Sequence, residues 1–413
     1  MSESNQDQHY VIIGAGQAGA EVASSLRKRG FEGRITLIGE EQAPPYRRPP
    51  LSKAYFSGDA TGDSLFVMKP EQLEKARIDF IGGVAVTAID PAAHTVALAD
   101  GRSIGYDRLA LTTGGRPRPI PVAGADLDGV CLLRSIADVD AIRERCREGM
   151  HITIVGGGFI GLEVAASARK LGLDVTVVEA LDRVLARVTA PVVSRFFERI
   201  HREAGVDLRT GIGVQAFEGD DGRVSRVTLG DGTHVDTDLV VVGIGLIPNT
   251  EIAEAAGLAV DNGIIVDECA RTSDPDIVAA GDCANHPNRF AGGRTRLESV
   301  QNAMEQARVA AATMLGAEEV YEAVPWFWSD QYDCKLQMAG LSGGFDAIVL
   351  RGDPESESRF SAFYLREGRL IAADSVGRPQ DFMFAKKLVT AGIAPDPEQL
   401  ADPDVPLKEM LPA

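Results

Sequence analysis

Cysteine is scarce in this chain and never clustered. Cys131, Cys146, Cys269, Cys283 and Cys334 stand apart, with no CxxC and no other close pair. This excludes a dithiol redox pair or an iron–sulfur centre built from the chain's own thiolates, and leaves single reduced thiols. The six histidines are equally scattered, with no HxxxH or HExxH spacing, so no metal site is expected. Positive charge is short as well. A formal net charge of −18 leaves no broad counterion-releasing surface and argues against nucleic acid. It leaves room for an acidic protein partner met by a local basic patch. No window reaches the roughly 18 apolar residues that a spanning helix needs. Residues 1–9 lack the basic-then-apolar layout of a secretory signal, and the first strand begins almost at once, so nothing is left to cleave. Residues 403–413 are too short and proline-broken for an amphipathic anchor. A cytoplasmic protein without membrane association is expected.

What the chain does contain is a duplication. Val11-Ile12-Ile13-Gly14-Ala15-Gly16-Gln17-Ala18-Gly19 and Ile152-Thr153-Ile154-Val155-Gly156-Gly157-Gly158-Phe159-Ile160-Gly161 each read as an apolar strand, a glycine turn and a helix start. Around the first, a strand at 10–13, a helix at 18–29 and a strand at 35–38 are expected. Around the second come a helix to Leu171 and a strand at 175–178, then a helix at 192–204. Short antiparallel strands near 206–208, 213–218 and 224–229 and a strand at 239–243 follow. Residues 41–75 are proline-rich and irregular, suited to a surface or to covering a cofactor. Strands at 78–81, 85–90, 95–98, 108–113 and 277–280 and a helix at 299–315 complete the first half of the scheme. From Val324 the texture becomes aromatic strands followed by a helix near 380–391. At 413 residues two or three domains are expected. The fold class is α/β, with two Rossmann-like dinucleotide-binding domains and a C-terminal α+β domain.

The glycines have separate tasks. Gly14 permits the tight turn, Gly16 lets the backbone approach a pyrophosphate, and Gly19 allows close helix–strand packing. The helix N-terminus then offers the phosphates unpaired N–H groups and the positive end of its dipole. An acid at the end of the second strand accepts hydrogen bonds from a ribose diol. Glu40 fills that place in the first unit, with Glu41 as a fallback, and Glu179 fills it in the second. A carboxylate at Glu179 favours a free 2′-hydroxyl, hence NADH over NADPH. Arg183, four residues on, reads as a surface salt-bridge partner rather than a ligand for a 2′-phosphate. Two such fingerprints imply two dinucleotides, the minimum apparatus for passing a hydride from a nicotinamide to a flavin.

Further motifs carry a resemblance. They are Tyr46-Arg47-Arg48-Pro49-Pro50-Leu51-Ser52-Lys53, Thr112-Thr113-Gly114-Gly115-Arg116-Pro117 and Gly243-Ile244-Gly245-Leu246-Ile247-Pro248-Asn249. With them go Thr272-Ser273-Asp274-Pro275 with Gly281-Asp282-Cys283-Ala284, and Pro325-Trp326-Phe327-Trp328-Ser329-Asp330-Gln331. Over essentially its whole length the chain resembles the FAD-dependent NAD(P)H:ferredoxin reductases that serve bacterial haem monooxygenases and Rieske dioxygenases. These lie within the glutathione-reductase-like two-dinucleotide flavoproteins. The crossover departs slightly, Thr113 standing where an alanine–threonine pair is usual, with no functional loss expected. The resemblance implies that the first fingerprint holds FAD and the second the nicotinamide. Domains are then 1–114 and 246–323 for FAD, 115–245 for NAD, and 324–413 at the C-terminus.

By the same resemblance Gly14, Gly16, Ala18, Gly19, Glu40, Arg48, Lys53, Thr113, Gly114, Arg116, Asp282, Val300 and Trp328 bind FAD. Asp282 takes the ribityl chain, and the helix starting near Ser299 faces the flavin pyrimidine edge, where reduced flavin gathers negative charge. Gly156, Gly158, Phe159, Ile160, Gly161, Glu179, Gly243 and Gly245 bind NADH. Lys53 is implied beside the flavin N5, paired with Glu163, and Trp328 against the flavin; these three form the implied catalytic set. The plainer alternatives are an exposed lysine and tryptophans packed in a core.

With no dithiol or cluster of its own, the chain must pass electrons to an external one-electron acceptor. The resemblance names a two-iron, two-sulfur ferredoxin, usually acidic, feeding a haem monooxygenase. Docking it needs basic groups around the flavin edge, for which Arg294, Arg296, Arg308, Lys335, Lys386 and Lys387 are candidates, each taken singly reading as a solvated surface charge. A Rieske or rubredoxin system differs only in the acceptor. A disulfide reductase of the same fold needs a cysteine before Cys131. A non-enzymatic, apoptosis-inducing type of flavoprotein needs basic surface and a targeting segment. A monomer or weak dimer is expected.

Overall fold

A computed structural model describes residues 7–411, so most of the leading segment 1–9, read above as lacking a signal, lies outside the described residues. The chain divides into two compact units. The first comprises Met1–Arg47, Leu65–Arg116 and Ile247–Pro325. Its centre is an all-parallel sheet in the order Ile277–Ala279, Arg108–Leu111, His9–Ile13, Arg34–Ile38, Ile78–Ile81. Parallel strands covered on both faces read as unbroken apolar runs, which is why Val11-Ile12-Ile13 and Leu37-Ile38 do not alternate. One face buries Ile12, Leu37, Val22, Leu26 and Ala310 together. There the helices Gln17–Lys28 and Val300–Met314 present small residues (Ala23, Ala303, Ala307, Ala311), so their backbones can approach closely. The other face buries Val11, Ile13 and Leu111 with Val96 and Leu98 of the antiparallel strands Val86–Asp90, Thr95–Leu98 and Ser103–Gly105.

The second unit comprises Arg48–Ser64, Pro117–Leu246 and Trp326–Ala413. Its parallel sheet runs Val206–Thr210, Asp174–Glu179, His151–Val155, Leu239–Val242, Val130–Leu132. The antiparallel strands Val214–Asp220, Arg223–Leu229 and His234–Asp236 form a separate small sheet. An antiparallel sheet in the order Trp326–Gln331, Cys334–Gly340, Arg369–Val376, Phe360–Arg366, Ala347–Arg351 carries the helix Pro379–Ala391. This is the expected α/β architecture with an α+β end.

Several details differ from the sequence reading, which had neither the strand Val130–Leu132 nor the short helix Glu251–Ala255. Val206–Thr210 is parallel to Asp174–Glu179, not antiparallel, because the helix Pro191–Glu203 between them makes a crossover connection. A helix not expected from the sequence spans Ile136–Arg145, started by a capping box in which Ser135 and Asp138 bond each other's backbone N–H groups. Within the irregular stretch lies another, Pro70–Lys75, with proline in its first turn.

Candidate functional site

In both fingerprints the backbone gives each glycine a physical reason. Gly14 has φ +106°, and a Cβ there would stand 2.2 Å from the Thr112 carbonyl oxygen. Gly156 has φ +112°, and its Cβ would stand 2.4 Å from the Gly243 carbonyl oxygen. A Cβ on Gly19 would lie 2.0 Å from the Gly14 oxygen, and one on Gly161 would lie 2.0 Å from the Gly156 oxygen. A Cβ on Gly16 or on Gly158, by contrast, would meet no other part of the protein within 4 Å. Each loop therefore closes tightly at its ends and leaves a cradle at its middle. Gly16 and Gly158 are also the N-caps of the helices Gln17–Lys28 and Phe159–Lys170, whose first turns carry no side-chain cap and no acid. Such ends leave N–H groups for an anion, and the residues present fit a dinucleotide pyrophosphate at each loop.

The strand-end acids behave differently. Glu40 is exposed just beyond Arg34–Ile38, while the fallback Glu41 accepts a 2.5 Å hydrogen bond from the Tyr46 hydroxyl. Glu179 braces its own loop: Oε2 accepts from the Gly157 N–H at 2.6 Å and Oε1 from the Leu181 N–H at 2.8 Å. Those bonds fix a carboxylate beside the second cradle. Arg183 is not a surface salt-bridge partner. It donates to the Thr189 and Ala186 carbonyls at 3.0 and 2.9 Å and to the Ser194 hydroxyl at 2.6 Å, and so ties the loop to the next helix. Ile160, 46% exposed, leaves an apolar surface at the first turn of Phe159–Lys170, and the Phe159 ring packs 4.7 Å from Phe327. Gly243 donates to the Val155 carbonyl at 2.8 Å, and Gly245 has open space around it.

In the first unit, Gly281 packs where its Cβ would stand 3.1 Å from the Ala18 Cβ, which brings the half-buried Asp282 next to the first fingerprint helix. Thr113 donates to the Asn249 carbonyl at 2.6 Å, Gly114 accepts from the Asn249 N–H at 3.0 Å, and Arg116 reaches the Asn249 side chain at 2.8 Å and Glu251 at 2.6 Å. The crossover is thus laced to one asparagine. Ser299 caps the helix Val300–Met314 by accepting from the Asn302 N–H at 3.0 Å, and no acid opposes the dipole in its first turn. In the second unit, Arg48 donates to the Arg134 carbonyl at 2.6 Å.

Lys53 and Glu163 do meet, at 2.8 Å between Nζ and Oε1, with side chains 17% and 4% exposed. Lys53 is therefore not an ordinary surface lysine. Two residues that the sequence reading did not single out complete the carboxylate's shell. Ser52 Oγ donates to Oε2 and Ser329 Oγ to Oε1, each at 2.6 Å. Burial pushes the Glu163 carboxyl above its usual range; the Lys53 ammonium and the two hydroxyls pull it back. The clue to Ser329 was the two-residue alternation of its strand. Ser329 and Gln331 are buried on one face, whereas Trp326 and Trp328 lie on the other, their rings 5.7 Å apart and only partly buried.

Of the proposed docking residues, Arg296 does not belong to an exposed patch. Its side chain is 9% exposed, paired with Glu298 at 2.7 Å and bonded to the Asp282 carbonyl at 3.1 Å. Arg308 is neutralised by Glu21 at 2.8 Å, and Arg294 donates to the Val266 and Asn285 carbonyls. Lys335 stands 3.9 Å from Asp330, Lys386 lies over the Trp326 ring and Lys387 over the Phe384 ring.

Comparison with known proteins agrees with this geometry. A family model described as pyridine nucleotide-disulphide oxidoreductase matches residues 8–307, and one described as reductase C-terminal matches residues 326–411. The chain is 48% identical over 414 residues to putidaredoxin reductase of Pseudomonas putida, covering 99% of this chain and 98% of that protein. It is also 48% identical to rhodocoxin reductase of Rhodococcus erythropolis, covering 96% and 93%. A solved covalent putidaredoxin reductase–putidaredoxin complex matches with a TM-score of 0.95 at 47% identity, covering 98% of each chain.

Proposed function

The chain belongs to the pyridine nucleotide-disulphide oxidoreductase family, and on that premise we propose that it is an NADH-dependent ferredoxin reductase. It takes a hydride from NADH onto FAD and passes single electrons to a two-iron, two-sulfur ferredoxin, which feeds a haem monooxygenase in the cytoplasm. The observation that carries this reading is the pair of equivalent glycine cradles, each open at its middle glycine. A relative that assembles with putidaredoxin supports a ferredoxin as the partner.

When bound, FAD supplies the step between a two-electron donor and a one-electron acceptor. The chain's residues bind and orient. Gly14, Gly16 and Gly19 with the helix N-terminus take the FAD pyrophosphate, Glu40 its ribose, and Asp282 the ribityl chain. The start of Val300–Met314 supplies positive potential for the reduced flavin. Gly156, Gly158 and Gly161 take the NADH pyrophosphate, and Glu179 accepts from its free 2′-hydroxyl. Lys53, held by Glu163, positions the nicotinamide. On this reading residues 1–114 and 246–323 hold FAD, 115–245 hold NADH, and 324–413 form the C-terminal domain.

The test is anaerobic reduction by NADH, followed by turnover against a panel of ferredoxins with rubredoxin as control. Fast flavin bleaching and transfer to a two-iron ferredoxin are expected. Slow formation of a charge-transfer complex without turnover would reject the reading.

A further inference from the structure

The Lys53–Glu163 pair is the inner end of a longer chain of hydrogen bonds. Ser329, which donates to Glu163 Oε1, lies 3.1 Å from Gln331 Nε2. Gln331 Oε1 lies 2.9 Å from His201 Nε2, and His201 Nδ1 lies 3.0 Å from the Tyr332 hydroxyl. Ser329, Gln331 and His201 are buried, whereas Tyr332 is 38% exposed.

The proton positions follow from one end. A carboxylate only accepts, so Ser329 spends its single proton on Glu163. Its oxygen must then accept from Gln331, whose amide therefore points Nε2 at Ser329 and Oε1 at His201. That oxygen requires the proton on His201 Nε2, which leaves Nδ1 to accept from Tyr332. Burial holds His201 neutral, lowering its pKa to about 4, and keeps Tyr332 protonated, raising its pKa to about 12. All four hydrogen bonds therefore donate in the same sense, toward Glu163, and a chain polarised one way strengthens its last member.

We propose that His201 is a positioning residue that, through Gln331 and Ser329, holds the Glu163 carboxylate ionised and so fixes Lys53 for hydride transfer. The inference rests on the reading of Lys53 given above. A buried polar cluster needs only paired partners. Here the order of donors supplies something more, a directed field at a carboxylate that burial disfavours. The charge acting on Glu163 is Lys53; Ser52 and Ser329 are neutral. Farther out the titratable groups are His201 and Tyr332, with Arg169 acting on the tyrosine.

The experiment is stopped-flow reduction of the FAD-loaded enzyme by NADH across pH, comparing wild type with Gln331→Met, His201→Leu, His201→Gln, Tyr332→Phe and Lys53→Ala. Gln331→Met keeps the volume and breaks the chain. The acidic limb of its hydride-transfer rate is expected about one pH unit higher, the size of a weakened charge-assisted hydrogen bond. His201→Leu should match it, and His201→Gln, which can both accept and donate, should restore the limb. Tyr332→Phe, altered only at the partly exposed end, should shift the limb in the same direction by less, even if the buried variants fold poorly. A wild-type limb in Gln331→Met and Tyr332→Phe, alongside a slowed Lys53→Ala, would overturn the positioning role alone. An unslowed Lys53→Ala would overturn the role of Lys53 and this inference with it.

Discussion

A methyl group at Gly161 would stand 2.0 Å from a carbonyl oxygen, whereas at Gly158 it would point into open space. The two substitutions should therefore fail in different ways. Gly161→Ala has to push the helix Phe159–Lys170 off its strand, and a loss of about 1–3 kcal/mol in urea unfolding is expected from overpacking. Gly158→Ala should leave the unfolding curve of the cofactor-free protein in place and raise KM for NADH roughly tenfold, a loss near 1.4 kcal/mol. Equal effects of both on stability would mean that the cradle is part of the packing rather than a binding surface. Glu179 could be read from the sequence as the acid of the second fingerprint. Its brace on the Gly157 and Leu181 N–H groups could not, because a strand-end position fixes where a carboxylate starts and not what the neighbouring loop offers it. Ser329 escaped notice because the tryptophans beside it carried the motif while alternation turned it to the buried face.

Elements were legible where apolar periodicity was strong, as at His9–Ile13, Gln17–Lys28, His151–Val155 and Val300–Met314. They were obscure where little is buried. In Ile136–Arg145 only Val139 and Ile142 are buried, and the capping box, not an apolar stripe, marks the helix. The C-terminal sheet hides a feature that only its pairing reveals. Asp374 on Arg369–Val376 is fully buried, and its carboxyl accepts a hydrogen bond from the Tyr364 hydroxyl at 2.5 Å, which in turn accepts from the Ala190 N–H at 3.0 Å. Burial raises the Asp374 pKa to about 7. The native state then binds a proton that the unfolded chain, with an aspartate pKa of about 3.9, has lost. Stability should accordingly fall as pH rises from about 4 to about 7 and level off above that. Unfolding midpoints of wild type and Asp374→Asn at pH 5, 6, 7 and 8 test this. The variant should gain on the wild type up to about pH 7, and parallel curves would show that the aspartate does not titrate there.

The whole molecule carries −18, and a ferredoxin is usually acidic too, so at long range the proposed partners repel. Attraction has to come from cations without close carboxylate partners. Arg296 and Arg308 are paired with Glu298 and Glu21, and Arg29 with Glu319, which removes much of their field. Lys386 and Lys387, on the helix Pro379–Ala391, stand over aromatic rings and are the strongest remaining candidates in the second unit. One turn earlier on the same helix Met383 is 45% exposed, so that an apolar side chain stands beside basic ones, the mixture that a transient electron-transfer contact uses. If they carry the docking, kcat/KM for ferredoxin should fall several-fold between low salt and physiological ionic strength, where the screening length is about 8 Å. The double change Lys386→Ala with Lys387→Ala should lower the low-salt value and flatten the salt dependence. NADH-driven reduction of ferricyanide, a small acceptor that needs no docking surface, serves as the control. A salt-independent ferredoxin rate in the wild type would place recognition in apolar contact instead, and Met383→Ala would then be the more damaging change.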